Sequence, residues 1–204
     1  NSSASPARHP VRALVLLPTR ELADQVAQQI ALYAKHTKLR STVVFGGMDM
    51  KPQTIELKKG VEVLVATPGR LLDHIEAKNV VLNQVEYVVL DEADRMLDMG
   101  FYDDIMTIVN KLPKERQTIM FSATMPANIR KMAKAIMHNP VEVQIAISRP
   151  PESIKQQAAD IYEPQKNDFL KLLLKDRGLK KVIIFVGKKQ KVKELTRALR
   201  ANHI

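Results

Sequence analysis

Short apolar runs recur along the chain, and each stops abruptly at glycine, proline or charged residues. Runs of this length and composition predict buried parallel strands near residues 12–17, 41–45, 61–66, 85–90, 116–121, 140–145 and 182–186. The intervening segments carry apolar positions at helical spacing, as with Leu22, Val26, Ile30 and Tyr33 after Arg20. Helices are expected near 20–35, 51–59, 69–77, 92–98, 101–111, 126–138, 166–176 and 188–201. Alternation of this kind, without internal repeats, predicts an α/β fold with a parallel sheet flanked by helices.

The pattern also divides the chain. Pro150-Pro151 and the polar stretch to Pro164 read as a linker, because prolines stiffen and punctuate such segments. Residues 1–149 are then one domain, 150–164 the linker, and 165–204 the start of another. That last part supplies only a helix, a strand and a helix, and one strand cannot make a sheet. The second domain is expected to be incomplete here.

Candidate chemistry concentrates where a strand ends. The run from Val85 to Leu90 stops at two adjacent carboxylates, Asp91 and Glu92. Parallel sheets place ligands beyond the carboxyl ends of their strands, and acids there are costly unless they hold a cation or activate water. This is the arrangement of a Walker-B site, in which the first acid helps hold Mg²⁺ on a nucleotide.

The tetrad Asp91-Glu92-Ala93-Asp94 resembles the signature of the DEAD-box RNA helicases. Further words agree with that family in its order: Pro18-Thr19-Arg20-Glu21-Leu22-Ala23, Gly46-Gly47, Thr67-Pro68-Gly69-Arg70 and Ser122-Ala123-Thr124, each after an expected strand. Val182–Val186 is similar to the strand that opens the family's second domain. The resemblance runs from about Val11 to the C-terminus, and the wording of Val44-Phe45-Gly46-Gly47-Met48 and Leu97-Asp98-Met99-Gly100-Phe101 is most similar to bacterial members. It implies RecA-like domains, ATP and Mg²⁺ as cofactors, and RNA as partner.

Roles follow on the matching positions. Asp91 would bind Mg²⁺, through water, and Glu92 would orient or deprotonate the attacking water. For Glu92 the bland alternative is an acid stabilised at a helix N-terminus. The resemblance places Asp94, Ser122 and Thr124 in coupling, not bond-breaking; the bland alternative for the two hydroxyls is turn and N-cap chemistry before Pro126. Pro18, Thr19 and Arg20, Gly46 and Gly47, and Thr67, Pro68, Gly69 and Arg70 are expected to bind RNA. Helix N-termini offer free N–H groups to phosphates, the arginines add charge, and the glycines permit close backbone approach. Each of these turns could instead be an ordinary tight strand-to-helix connection.

Aromatic content is only 4%, without tryptophan, so base-stacking platforms are scarce and sequence-independent backbone contacts fit better. Net charge is +10 but uneven: residues 1–164 carry 20 basic and 19 acidic side chains, while 165–204 carry 12 and 3. The cluster Lys188, Lys189, Lys191 and Lys193 reads as a solvated helix face, with attraction of RNA as the alternative.

No Gly-x-x-x-x-Gly-Lys-Ser/Thr word occurs in the 204 residues, nor do the family's adenine-reading glutamine motif and its later arginine-bearing motifs. The chain is therefore expected to be a middle slice of a longer helicase and inactive alone. A non-catalytic RNA-binding scaffold derived from a helicase domain is the alternative, and a DNA-acting helicase is a weaker third reading. The chain holds no cysteine, which excludes disulfides and fits a cytoplasmic setting. No apolar window approaches a membrane span, so no membrane partner is expected. The histidines His9, His36, His74, His138 and His203 show no ligand spacing and are expected at the surface or at helix ends, without zinc.

Overall fold

The computed structural model describes residues 7–145, 153–175 and 178–202. Five strands lie in one sheet: β1 (Ala13–Leu16), β2 (Ser41–Val44), β3 (Val63–Ala66), β4 (Tyr87–Leu90) and β5 (Gln117–Met120), in the order β2-β3-β1-β4-β5. Every pairing is parallel, and the last residues Val44, Ala66, Leu16, Leu90 and Met120 are register partners in turn. Five strand ends therefore reach one line across the sheet.

Helices α1 (Arg20–Ala34), α2 (Met50–Lys58), α3 (Pro68–Glu76), α4 (Ala93–Asp98), α5 (Tyr102–Val109) and α6 (Ala127–Ile136) connect the strands or follow the last one. Side chains alternate across the sheet, and each face packs separately. On one face Leu14, Leu16, Leu64, Val88 and Leu90 meet Leu71 of α3, Met96 of α4, Ile105 and Ile108 of α5, and Ile129 and Met132 of α6. On the other, α1 packs Ala23, Val26 and Ile30 against Leu17, Val43 and Val65. That second cluster contains no residue of β4 or β5. Tyr87, Ile119 and Phe121 on this side are 48%, 36% and 56% exposed, so half of one sheet face is bare.

Two expected strands do not form. Residues 140–145 are irregular, with Val141, Val143 and Ile145 exposed, and 182–186 pair with nothing. Both runs have strand composition, but a strand also needs a neighbour to bond, and the described residues give them none. The helices begin and end within one or two residues of expectation, apart from a short 3₁₀ turn at Glu163–Gln165 that the pattern did not suggest.

The chain divides into two compact units, residues 1–142 and 143–204. Within the second, α7 (Lys166–Leu174) and α8 (Lys189–Arg200) bury no residue. Glu163 binds Lys166 at 2.5 Å and also pairs with Lys191, and these two cations hold its carboxyl down at about 2. Lys191 is thus neutralised locally, while Lys188, Lys189 and Lys193 form no ion pair among the described residues. No helix among these residues is long and apolar enough to cross a membrane.

Candidate functional site

The sheet register builds the site. Hydrogen bonding continues one residue past the strands: Leu17 N to Ala66 O, Thr67 N to Val44 O, Asp91 N to Leu16 O and Phe121 N to Leu90 O, all between 2.8 and 3.0 Å. Beyond that line the five ends sort into two groups. Pro18-Thr19-Arg20, Gly46-Gly47 and Thr67-Pro68-Gly69-Arg70 leave β1, β2 and β3; Asp91-Glu92 and Ser122-Ala123-Thr124 leave β4 and β5.

At the end of β4 the chain bends sharply. Glu92 adopts a left-handed conformation, φ +50° and ψ +50°, which is uncommon for a residue with a side chain and implies local strain. That residue therefore stands before α4, which begins at Ala93 and not at Glu92 as the pattern suggested. The bend is held by Ala93 N donating to Phe121 O at 3.0 Å and by Glu92 N donating to Asp91 Oδ1 at 2.8 Å. Asp91 is half-buried, and its Oδ2 has no partner among the described residues. The Glu92 carboxylate accepts from Arg95 Nη1 at 3.1 Å in a pair open to solvent. No group of three metal-ligating side chains gathers among the described residues. A single hard carboxylate oxygen fits Mg²⁺, which is commonly held by one or two carboxylates together with substrate phosphates and water.

Asp94 turns toward β5. Its Oδ2 accepts from Thr124 N at 2.9 Å and from Thr124 Oγ1 at 2.7 Å, and its Oδ1 from Arg95 N at 3.0 Å. Asp94 N donates to Ser122 Oγ at 3.2 Å, and that hydroxyl donates to Thr124 O at 2.7 Å. Partial burial alone would raise the Asp94 pKa, but the bonds from the Thr124 side chain and backbone outweigh it, with help from Arg95 N and Ser122, and hold it below the usual value. Of the alternative of turn and N-cap chemistry, the turn is present, since Ser122 Oγ donates to Thr124 O, and the cap before α6 is not. Helix α6 starts after Pro126 with no side-chain cap, and both hydroxyls are engaged with Asp94 and its neighbours.

On the other half of the edge, Thr19 caps α1 through Leu22 N at 3.4 Å, and the Arg20 guanidinium lies 5.0 Å from the centre of the Phe45 ring. Pro18, Thr67 and Pro68 are buried; Arg20, Gly46 and Gly47 are exposed, and Thr19, Gly69 and Arg70 are half-buried. Gly47 has φ +78°, a conformation that favours glycine. A side chain at Gly46 would meet nothing within 4 Å, so the fold itself does not require a glycine there. Arg70 donates from Nη1 to Met48 O at 2.9 Å and from Nε to Asp73 Oδ2 at 3.2 Å, which ties α3 to the glycine turn.

Three residues here escaped the sequence reading: Gln53 of α2, His74 of α3, and Asn79. His74 lies in the last turn of α3, one of the two places expected for the histidines, and is fully buried there. It contacts Gln53 Oε1 at 3.4 Å and Asn79 Nδ2 at 3.2 Å. The available signal was its place three residues after Leu71, on the buried face of α3. Desolvation, reinforced by Arg70 and opposed by Asp73, lowers the His74 pKa from 6.5. A recess of about 340 Å³ lined by His9, Val11, Leu57 and Gln84 lies at the opposite, amino-terminal ends of the strands.

A five-stranded parallel sheet flanked by helices, with an acid pair beyond β4, is the α/β architecture of the RecA-like DEAD-box domains that the fold matches. Residues 2–132 match the DEAD/DEAH box helicase family, and the chain belongs to it. It is 44% identical over 93% of its length to the ATP-dependent RNA helicase CshA of Listeria monocytogenes, and 42% identical over 92% to the DEAD-box ATP-dependent RNA helicase RhpA of Helicobacter pylori. The chain spans 36% and 38% of those relatives. Its fold is similar to the yeast DEAD-box splicing factor Prp28, with TM-score 0.67, 32% identity, and coverage of 98% of this chain and 48% of that one. It is also similar to a DEAD box protein from Methanococcus jannaschii, with TM-score 0.64, 36% identity, and coverage of 94% and 52%.

Proposed function

We propose that the intact protein is an ATP-dependent RNA helicase in which this chain supplies the water-activating acids, the coupling contacts and part of the RNA edge. The observation that carries this reading is the common line of five strand ends. It brings the acid pair and the three turns after β1, β2 and β3 to one side of one sheet, joined through β1, which bonds β3 on one flank and β4 on the other. Kinship with named ATP-dependent RNA helicases supports it.

In this reading Asp91 offers its free Oδ2 to Mg²⁺ through water, and bound Mg²⁺ would neutralise charge developing on the transferred phosphoryl group. Glu92, released from Arg95, takes the proton of the attacking water. Asp94 does not touch the reacting atoms; the two hydrogen bonds it accepts from Thr124 link the turn after β4 to the turn after β5. Arg20, Gly46, Gly47, Gly69 and Arg70 face RNA phosphates and riboses, while the buried Pro18, Thr67 and Pro68 hold those turns in shape. Backbone contacts of this kind carry no base information. Residues 165–204 are assigned to the beginning of a second RecA-like domain, which would close over ATP and RNA.

The decisive experiment is RNA-stimulated ATP hydrolysis by the intact protein, compared with Glu92→Gln. Stimulated turnover that disappears in the variant supports the reading. Intact protein that binds RNA but hydrolyses no ATP with or without it would favour the scaffold alternative.

A further inference from the structure

The turn at Gly46-Gly47 is held by a side chain that imitates a neighbouring strand. Gln53, on α2, accepts from Phe45 N with Oε1 at 3.1 Å and donates from Nε2 to Phe45 O at 3.2 Å. The same Nε2 donates to Asp49 O at 3.2 Å. One amide group thereby closes the loop from Phe45 to Asp49 at both ends. Arg70 adds a third fixed point at Met48 O. Between these anchors, Gly46 and Gly47 make no hydrogen bond among the described residues.

Gln53 is itself seated from below. Asn79 Nδ2 donates to His74 Nδ1 at 3.2 Å and also to Thr54 Oγ1 at 3.2 Å. An occupied Nδ1 acceptor leaves the His74 proton on Nε2, which points to Gln53 Oε1 at 3.4 Å. The chain of bonds thus fixes which end of the Gln53 amide faces Phe45 N and which faces the two carbonyls. His74 is buried and Gln53, Thr54 and Asn79 are half-buried; a polar relay with every member satisfied is rigid, and none of its side-chain atoms is left buried without a partner.

We propose that Gln53, oriented by His74 and Asn79, is the positioning residue that presents the Gly46-Gly47 backbone to a nucleic-acid sugar-phosphate chain. This rests on the assignment of that turn to the RNA edge. Gln53 touches no RNA itself; it acts by pinning Phe45 and Asp49, and through Phe45 it also sets the ring on which Arg20 lies. A loop that must be ordered upon binding loses affinity to the cost of ordering, and a preset loop avoids that loss.

The test uses the intact protein with a fluorescently labelled single-stranded RNA of mixed sequence. Gln53→Met keeps the side-chain volume and removes all four hydrogen bonds. It should weaken RNA binding about tenfold, the order expected for losing the clamp's net hydrogen bonding. In RNA-stimulated ATP hydrolysis, the loss should appear in KM for RNA and not in kcat, which a general loss of folded protein would not produce. Arg20→Ala is measured beside it. If Arg20→Ala weakens binding and Gln53→Met leaves it unchanged, the positioning role is wrong while the RNA edge stands. If neither weakens binding, the RNA edge itself is wrong and this inference falls with it. Should Gln53→Met fail to fold, His74→Phe decides in its place. It keeps a buried ring and leaves Gln53 present but unoriented, so a rise in KM for RNA supports the proposal and an unchanged KM overturns it.

Discussion

Asp94 and Thr124, thirty positions apart, are joined twice: the backbone N–H and the hydroxyl of Thr124 both donate to Asp94 Oδ2, at 2.9 and 2.7 Å. The turn after β4 and the turn after β5 therefore move as a unit, and Ser122 adds a third contact through Asp94 N. Replacing Ser122 and Thr124 with alanine removes two hydroxyls and no charge. In the intact protein, ATP hydrolysis should persist while duplex unwinding falls much further. Equal loss of both activities, with an unchanged melting curve, would mean direct participation in catalysis.

Glu92 occupies a strained backbone position and, among the described residues, offers its carboxylate to Arg95 alone. Glu92→Gln retains shape and removes the base. Hydrolysis in the intact protein should nearly vanish while binding of ATP and RNA is preserved. A variant unable to bind nucleotide would show that Glu92 maintains the turn and has no role in water activation.

Arg20 and Arg70 are expected to contribute differently to RNA binding. Alanine at either position in the intact protein should cost roughly 1–3 kcal/mol, the range of a charge-assisted contact, and equally for unrelated RNA sequences. Each should also flatten the dependence of log affinity on log salt by somewhat under one unit. Arg70 additionally anchors Met48 O, so its replacement should loosen the glycine turn even without RNA, seen as faster amide exchange there. Unchanged affinity for both variants would return these arginines to a purely architectural role.

His74 makes stability depend on pH in a defined window. Its folded pKa lies below 6.5, so on acidification the unfolded chain takes up a proton that the folded chain refuses. Its contribution is complete above pH 6.5 and is lost progressively below it, down to the folded pKa. Melting temperature should fall between pH 7 and 5.5, and more steeply than in His74→Phe, which cannot titrate. Parallel pH profiles for the two proteins would show that His74 does not titrate in this window.

Four of the five strand ends were legible because a proline, a glycine pair or charged residues follow closely: Pro18, Gly46-Gly47, Pro68 or the acids Asp91 and Glu92. Helices were legible from apolar spacing, and α1 runs from Arg20 to Ala34 against an expectation of 20–35. Segments 140–145 and 182–186 misled because a strand is a property of a pair, and their composition says nothing about whether a partner is present. The relay of Gln53, His74 and Asn79 was invisible for a related reason. Its members lie as far as 26 positions apart and carry no spacing rule, so only packing of α2 against α3 brings them together.

Tyr87, Ile119 and Phe121 form an adhesive line on the bare half of the sheet, beside the outer edge of β5. Exposed apolar edges promote self-association unless charge keeps copies apart. The charge is unevenly divided along the chain, since residues 1–164 carry a net charge of only +1 and 165–204 carry +9. Repulsion from that basic segment reaches about 10 Å at 0.1 M salt and shrinks as salt is added, while apolar adhesion does not. In colloidal terms, the 204-residue chain on its own carries a sticky stripe and a charge that salt can screen, and it should be clearest in dilute low-salt buffer and first to cloud when ionic strength rises.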